Sequence, residues 1–371
     1  MGLVVGVTGT ASADHFFDPS RVTRRGDSYW IAAGGREFRV DCVAPVNGNK
    51  KTDALFDRAL LDHADYQQFG GGGYNAAVEM RREAPDVEIR YSDSGTYNPE
   101  LEADLASRKI GYRYRNLYPT VNNVVTGDPR ARDKLIFKSA PPPHAIQLPP
   151  DDQFRWLTEG GTVLDNSDKH RAWVTKLAGA GARGRLNLHV VLTPALAGDY
   201  LMDAVIPSSR LIVAGLDELG AALGVAVQDS VEGGVEALRM LAQRALSPVV
   251  HLTLGEAGVL VSNPEDMTVL HVRLAAGKNR EVRACLRDHS QVCGSGDRYA
   301  GAVTLHMVAG RSVLGAGALH GSPFASAAVA GCAAAVRRLG YEGPLGPGDF
   351  LVDVAGDLAE GAGAGWGHGA A

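Results

Sequence analysis

The strongest constraint on this chain is an alternation that begins near residue 160, where short apolar runs take turns with longer amphipathic ones. Strands are predicted at Thr162–Leu164, Leu188–Leu192, Leu211–Val213 and Val249–Leu254, and helices at Asp168–Leu177, Asp217–Leu223 and Val231–Leu246. Apolar strands separated by helices mean a parallel sheet covered on both faces. Two further helices are predicted at Asp297–Val308 and Ala325–Leu339. A chain of 371 residues exceeds what one simple core holds, so a large α/β domain with an appendage, or two domains, is expected.

The first half supplies the appendage. Leu3–Val7 reads as a buried strand, and Ser28–Ala33 and Glu37–Val43 alternate as a sheet with one wet face does. Residues 110–138 interleave Tyr112, Tyr114, Val121, Val124, Val125, Ile136 and Phe137 with polar residues. The two β-rich stretches, about 16–50 and 110–138, are expected to pair into one small sheet projecting from the body. Between them, Lys51–Ala64, Asn75–Glu83 and Pro99–Arg108 are read as helices and Val87–Tyr91 as a strand. Pro141–Pro143 and Pro149-Pro150 mark a boundary loop, and the Gly/Ala-rich tail at 360–371 is expected to be disordered.

A net charge of −5 and a pI near 6.1 leave no electrostatic footprint for nucleic acid. The basic clusters Arg24-Arg25 and Arg130–Lys134 read as solvated loops. No apolar run reaches the ~18–20 residues a membrane helix needs, and the first residues lack the basic region of a signal peptide. Cys42, Cys285, Cys293 and Cys332 are widely spaced and form no CxxC, which suggests reduced thiols in the cytoplasm rather than disulfides or zinc.

Chemistry is concentrated in a few short motifs. Gly294-Ser295-Gly296-Asp297 stands just ahead of the apolar run 299–308. Small residues there leave first-turn N–H groups uncovered as an anion site, and Asp297 sits at its edge as a base. An acidic cap after a glycine turn would look the same. Gly70–Gly73 followed by Tyr74-Asn75 opens a helix, where glycine admits a ligand to the backbone and an Asn side chain can both donate to and accept from a hydroxyl; a flexible loop is the alternative. Asp14-His15 follows the first strand, at the end where parallel sheets bind ligands, or in a surface turn. His251-Leu-Thr-Leu-Gly-Glu-Ala-Gly258 reads as a strand and tight turn, and Gly215-Leu-Asp-Glu218 starts a helix. Glu218 suits a Mg²⁺-bound water or simply the helix dipole.

Taken together, these pieces resemble the PfkB (ribokinase-like) family of small-molecule kinases from about residue 3 to 345. Gly294-Ser-Gly-Asp297 is close to the family's Gly-Ala-Gly-Asp signature, Gly70-Gly-x-Gly-x-Asn75 matches its N-terminal signature, and Thr253-Leu-Gly-x-x-Gly258 follows in order. The resemblance implies a ribokinase-like α/β fold over residues 1–350, with a central, mostly parallel sheet flanked by helices on both faces and a small β-sheet lid. It implies phosphoryl transfer from ATP, with Mg²⁺, to a hydroxyl of a sugar, nucleoside or related polyol. Asp297 would be the base, and Gly294, Ser295 and Gly296 the anion hole. Asp14, Gly71, Gly72 and Asn75 would hold the acceptor, Thr253, Gly255 and Gly258 would lie near ATP, and Glu218 would serve the metal. An exposed lid edge would invite a homodimer.

The chain also departs from the family. Gly215 stands where an Asn-x-x-Glu element is common, and Gln291-Val-Cys293 replaces Asp-Thr-Thr, which removes the expectation of monovalent-cation activation. Arg298, following the base, is placed to reach a phosphate or charged substrate, and Lys50–Gln68 is longer than usual. Tyr112, Tyr114 and Tyr118 would either stack on a base or pack the lid. Two other readings stay open: a non-catalytic sugar or nucleotide sensor on the same fold, and a nicotinamide-dependent oxidoreductase built on Val4-Val-Gly-Val-Thr-Gly9.

Overall fold

Val4–Gly9 (β1) is buried along its length, and two residues later the chain resumes as Ser12–Phe16 (β2) in a different sheet. The chain therefore crosses directly from one sheet to the other here. The computed structural model describes residues 2–43, 51–118, 121–127, 134–139, 151–166, 171–192, 200–244, 248–264, 266–286, 292–309 and 322–359. The boundary prolines, Gln291 and the tail at 360–371 lie outside the described residues.

After β2 the smaller sheet is built from β3 (Val22–Arg25), β4 (Ser28–Ala33), β5 (Arg36–Cys42), β6 (Lys51–Phe56) and β7 (Tyr66–Gly70). The chain then enters the body through α1 (Gly72–Glu83), β8 (Glu88–Gly95), α2 (Pro99–Ser107) and β9 (Gly111–Tyr118). β10 (Val121–Gly127) and β11 (Lys134–Ser139) return to the smaller sheet. From α3 (Asp151–Thr158) strands and helices follow one another: β12 (Thr162–Asn166), α4 (Arg171–Ala182), β13 (Asn187–Val191), a short π-helix and 3₁₀ turn (Leu201–Val205, Ile206–Ser208), β14 (Ser209–Gly215), α5 (Leu216–Leu223), α6 (Val231–Ala242) and β15 (Val249–Thr253). β16 (Val259–Asn263), β17 (Thr268–Leu274), α7 (Ala276–Cys285), α8 (Ser295–Ala309), α9 (Pro323–Arg338) and β18 (Phe350–Asp357) complete the chain.

The larger sheet runs β18-β17-β16-β15-β14-β13-β12-β1-β8-β9, and it is parallel from β15 to β9. Its two faces bury separate apolar clusters. Val5, Val7 and Val213 meet α1, α8 and α9 through Ala76, Met80, Val303 and Ala328, while Val163, Leu188 and Ile212 meet α4, α5 and α6 through Trp173, Leu219 and Leu238. The mostly parallel, doubly covered sheet expected from the alternation is present.

The smaller sheet, β3-β4-β5-β6-β11-β10-β2-β7, curls over a core of its own made by Ile31, Val40, Leu60, Val124, Leu135 and Phe137. Burying a side chain of this size contributes about 1.5–3 kcal/mol. Arg21 fastens the curl, its Nη1 bonding Asp65 Oδ1 at 2.6 Å and its Nε donating to Ala32 O at 2.8 Å.

Three local expectations are corrected. Lys51–Ala64 is no helix: Lys51–Phe56 is a strand, with Thr52 and Ala54 buried and Asp53 exposed, and Arg58–His63 is a 3₁₀ turn capped by Asp57. Period-two burial between β5 and β11 overrides helix propensity there. Gly111–Tyr118, expected in the smaller sheet, pairs with β8 at the edge of the larger one, and Tyr112 stacks on Tyr91 at 6.3 Å. β1 runs into a strand rather than a helix, so the strand–turn–helix unit an oxidoreductase would need at Gly9 is not formed.

α8 is seated by buried polar ties. His189 Nδ1 lies 3.1 Å from Thr304 Oγ1, and His251 Nδ1 lies 2.6 Å from Tyr299 Oη. Burial pushes the two imidazoles down, to about 4 and about 3 respectively, so both stay neutral at ordinary pH. The α1–α8 seam depends on Gly301, where a Cβ would come within 2.6 Å of Ala76 O. Gly301→Val should therefore cost about 1–3 kcal/mol, read as a lower urea midpoint. Gly277→Ala, whose Cβ meets nothing within 4 Å, should leave the midpoint unchanged or raise it.

Candidate active site

At the carboxyl ends of the central strands, four segments converge on Asp297. It lies in the first turn of α8, which Gly294 opens with φ of 80°. The first N–H to bond back into the helix is that of Arg298, donating to Gly294 O at 3.1 Å. This leaves the N–H groups of Ser295, Gly296 and Asp297 outside the ladder. Gly296 is exposed, and a Cβ there would meet nothing within 4 Å, so space in front of these donors is open. Ser295 turns its hydroxyl back to Val292 O at 2.9 Å.

The Asp297 carboxylate is held from both sides. Asn75 Nδ2, from α1, donates to Oδ2 at 3.2 Å, and Asn166 Nδ2, from the end of β12, donates to Oδ1 at 3.3 Å. The glycines make this convergence possible. A Cβ on Gly294 would fall 2.6 Å from Asn75 Nδ2, and one on Gly72 would fall 2.3 Å from Asn166 Oδ1. Gly71, with φ of 88°, caps α1 where a Cβ would lie 2.1 Å from Thr10 O.

Asp14, on β2, is buried over Gly70, accepting at Oδ1 from Ser12 Oγ and from Asn123 Nδ2, both at 2.7 Å. The cleft-facing side of the smaller sheet continues with Phe16, Val125 and Ile136, which pack against Cys293. The β1–β2 crossing is pinned by Asp93, whose Oδ1 accepts from Ala11 N at 2.9 Å. Burial pushes this carboxyl up to about 6, against the pull of the Ala11 and Gly95 N–H groups and the Arg115 charge.

Glu218 approaches from α5. Its Oε2 accepts from Gly215 N at 2.6 Å, and burial raises its pKa to about 7. The charges of Asp217 and Asp297 add to that rise, while the Gly215 N–H and Lys134 oppose it. Lys134, expected in a solvated loop, thus feels this carboxylate from the start of β11. Gly215 is level with Thr253 across the β14–β15 pair. Gly258, with φ of 102°, is needed by the sheet itself, since a Cβ would lie 2.3 Å from Val272 O. Gly255 borders open space. The structure thus brings Asp297, Gly294, Asn75 and Gly72 into direct contact and places Glu218 within electrostatic reach. Asp14 lies within β2 of the smaller sheet, and Thr253 ends β15 of the larger one.

Arg298 Nη1 bonds Glu79 Oε2 on α1 at 2.9 Å, and its side chain also borders a cavity with Gln68, Tyr74, Asp104 and Arg108. Tyr112 and Tyr114 form an aromatic ladder with Tyr91 and Tyr97 at the edge of the larger sheet. Asn166 and Asn123 were not singled out in the sequence. For Asn166, the signal was a polar pair, Asp165-Asn166, ending a buried strand at the face where such sheets bind ligands.

Among the described residues, no helix is long and apolar enough to cross a membrane, and no group of three or more His, Cys, Asp or Glu side chains is arranged to hold a metal. No protein-family model and no curated protein sequence matches the chain. Solved structures do. Adenosine kinase from Sinorhizobium meliloti is 14% identical with a TM-score of 0.62, over 93% of this chain and 96% of that one. Ribokinase from Giardia lamblia is 15% identical with a TM-score of 0.61, over 92% of this chain and 94% of that one. Arabidopsis thaliana ribokinase, solved with ribose and ATP, is 14% identical with a TM-score of 0.59, over 94% and 96%. The fold of this chain is therefore the ribokinase-like α/β fold, carrying a second, curled eight-stranded sheet beside its central one.

Proposed function

We propose that the chain is a divergent PfkB-type kinase of the cytoplasm, transferring the γ-phosphoryl group of ATP to a hydroxyl of a sugar, nucleoside or related polyol. The observation that carries this reading is the Asp297 carboxylate at the open N-terminus of α8, oriented by Asn75 and Asn166. A base beside uncovered helix N–H groups suits proton removal from an alcohol while negative charge moves onto a phosphoryl oxygen.

Asp297 takes the hydroxyl proton, and the N–H groups of Gly294, Ser295 and Gly296 receive the phosphoryl oxygens. Asp14, Gly71, Gly72 and Asn75 hold the acceptor; with its Nδ2 committed to Asp297, Asn75 keeps Oδ1 to accept from a hydroxyl. Thr253, Gly255 and Gly258 border the nucleotide. Glu218 fits a Mg²⁺-linked role because Oε1 remains beside the Oε2 that Gly215 engages, and hard cations take carboxylate and water oxygens. Mg²⁺, when bound, would neutralise charge on the phosphates. With Gly in place of Asn at 215, it is the backbone N–H there that engages Glu218.

The direct test is ADP release with ATP and Mg²⁺ across pentoses, hexoses, nucleosides and cyclitols. Acceptor-dependent release is expected, and Asp297→Asn should lower it ~10²–10⁴-fold. Wild-type turnover by that variant would remove Asp297 from the chemistry. Ligand binding with no turnover on any acceptor would instead favour the sensor.

The pH profile follows from Glu218. Its raised pKa keeps it protonated below about 7 in the free protein, and only the carboxylate serves a cation. At sub-saturating Mg²⁺, kcat/KM should climb as pH rises through about 7, then level off. In Glu218→Gln that step should vanish and the whole profile should lie lower. An unchanged profile would exclude Glu218 from the metal.

A further inference from the structure

We infer that Glu79 is a positioning residue for the base, acting through Arg298 to hold the register between α1 and α8; the kinetic part of this inference rests on the kinase reading above. Glu79 has no exposed side-chain surface, and its two oxygens are divided between helices. Oε2 accepts from Arg298 Nη1 at 2.9 Å on α8, and Oε1 from Arg337 Nη2 at 3.2 Å on α9. Arg337 also bonds Glu83, one turn further along α1.

The spacing connects this pair to the site. Glu79 follows Asn75 by four residues and so shares its face of α1. Arg298 is the residue after Asp297. Asn75–Asp297 and Glu79–Arg298 are thus two rungs along one seam, and at Gly301 the seam closes to backbone contact with Ala76. Each rung fixes a different point at the start of α8, ahead of the ties at Tyr299 and Thr304. Together with the close approach at Gly301 they fix one register, and that register sets where the Asp297 carboxylate points. A buried ion pair adds little stability over an apolar pair of equal volume, but charge in a fixed geometry can specify register.

The test compares Glu79→Gln, Arg298→Met, Arg298→Lys and Arg337→Met. Arg298→Met should lower kcat about 10- to 100-fold with KM for ATP nearly unchanged, the signature of a misplaced base, and Arg298→Lys should recover most of the loss. Arg337→Met removes the other partner of Glu79 without cutting the rung to α8. It should lower the melting temperature yet keep kcat within about twofold, as a stability effect alone would do. Equal kcat losses in Arg298→Met and Arg337→Met would overturn the inference. Hydrogen exchange in Glu79→Gln gives a readout that needs no turnover. Amides of Arg298–Ala302 should exchange about tenfold faster while those at the far end of α8 keep wild-type rates. Uniform or absent change along α8 would overturn the coupling whatever the reaction is. Failure of the wild type to turn over any acceptor would count against the kinase reading and leave the exchange result to decide the register.

Discussion

Much of this structure depends on two amides gripping one carboxylate. Asn75 and Asn166 reach Asp297 from a helix and a strand that are far apart in sequence, and each contact requires a glycine that leaves its Cβ space empty. Hydrogen bonds to a charged group are worth more than neutral ones, but two bonds of 3.2 and 3.3 Å are long for that class. Their main consequence is directional. They aim the carboxylate across the open first turn of α8, and α8 is held from behind by Thr304 and Tyr299 on buried imidazoles. Because burial pushes those imidazoles well below their ordinary range, the seat of the helix stays neutral, away from the Asp297 carboxylate at its open end.

A second constraint is the β1–β2 crossing. A parallel strand of an α/β sheet normally delivers the chain into a helix, but β1 delivers it into the other sheet within two residues. Asp93 makes that possible by accepting the Ala11 N–H at the turn, and Ser94 Oγ donates to Gly9 O at 2.9 Å. Asp14 arrives over the ends of the central strands as a result, where Asn123 of β10 meets it in register. Asp14 is thus carried by the smaller sheet, and Asp297 by a helix packed on the larger one.

The body was legible because each strand has an apolar run and the helices between them are amphipathic, so burial and periodicity largely agree from Thr162 to Thr253. The Asp297 motif was legible because its glycines and carboxylate are contiguous. Asn166 and Asn123 were not, since each meets its carboxylate only through a partner more than 100 positions away. Lys51–Phe56 was misread because its propensity is ambiguous and its strand character comes from pairing with β5 and β11. Gly258 illustrates the reverse case: a glycine suggestive of ligand approach is already demanded by the Val272 carbonyl.

The curl of the smaller sheet bears on assembly. A flat lid with one apolar face would need another surface to cover it. Here Ile31, Val40, Leu60, Val124, Leu135 and Phe137 cover one another, and Arg21 ties the strand region near Ala32 to the turn at His63–Asp65. The opposite face, with Phe16, Val125 and Ile136, is spent on the cleft beside Cys293. Both faces are therefore engaged within one chain, and any pairing of two copies through this sheet is left to its edges, β3 and β7. β3 exposes Thr23, Arg24 and Arg25, with Arg25 paired to Glu37, and charged side chains along an edge oppose strand addition. The curl thus covers one apolar face of the sheet within one molecule, as a second copy would for a flat one.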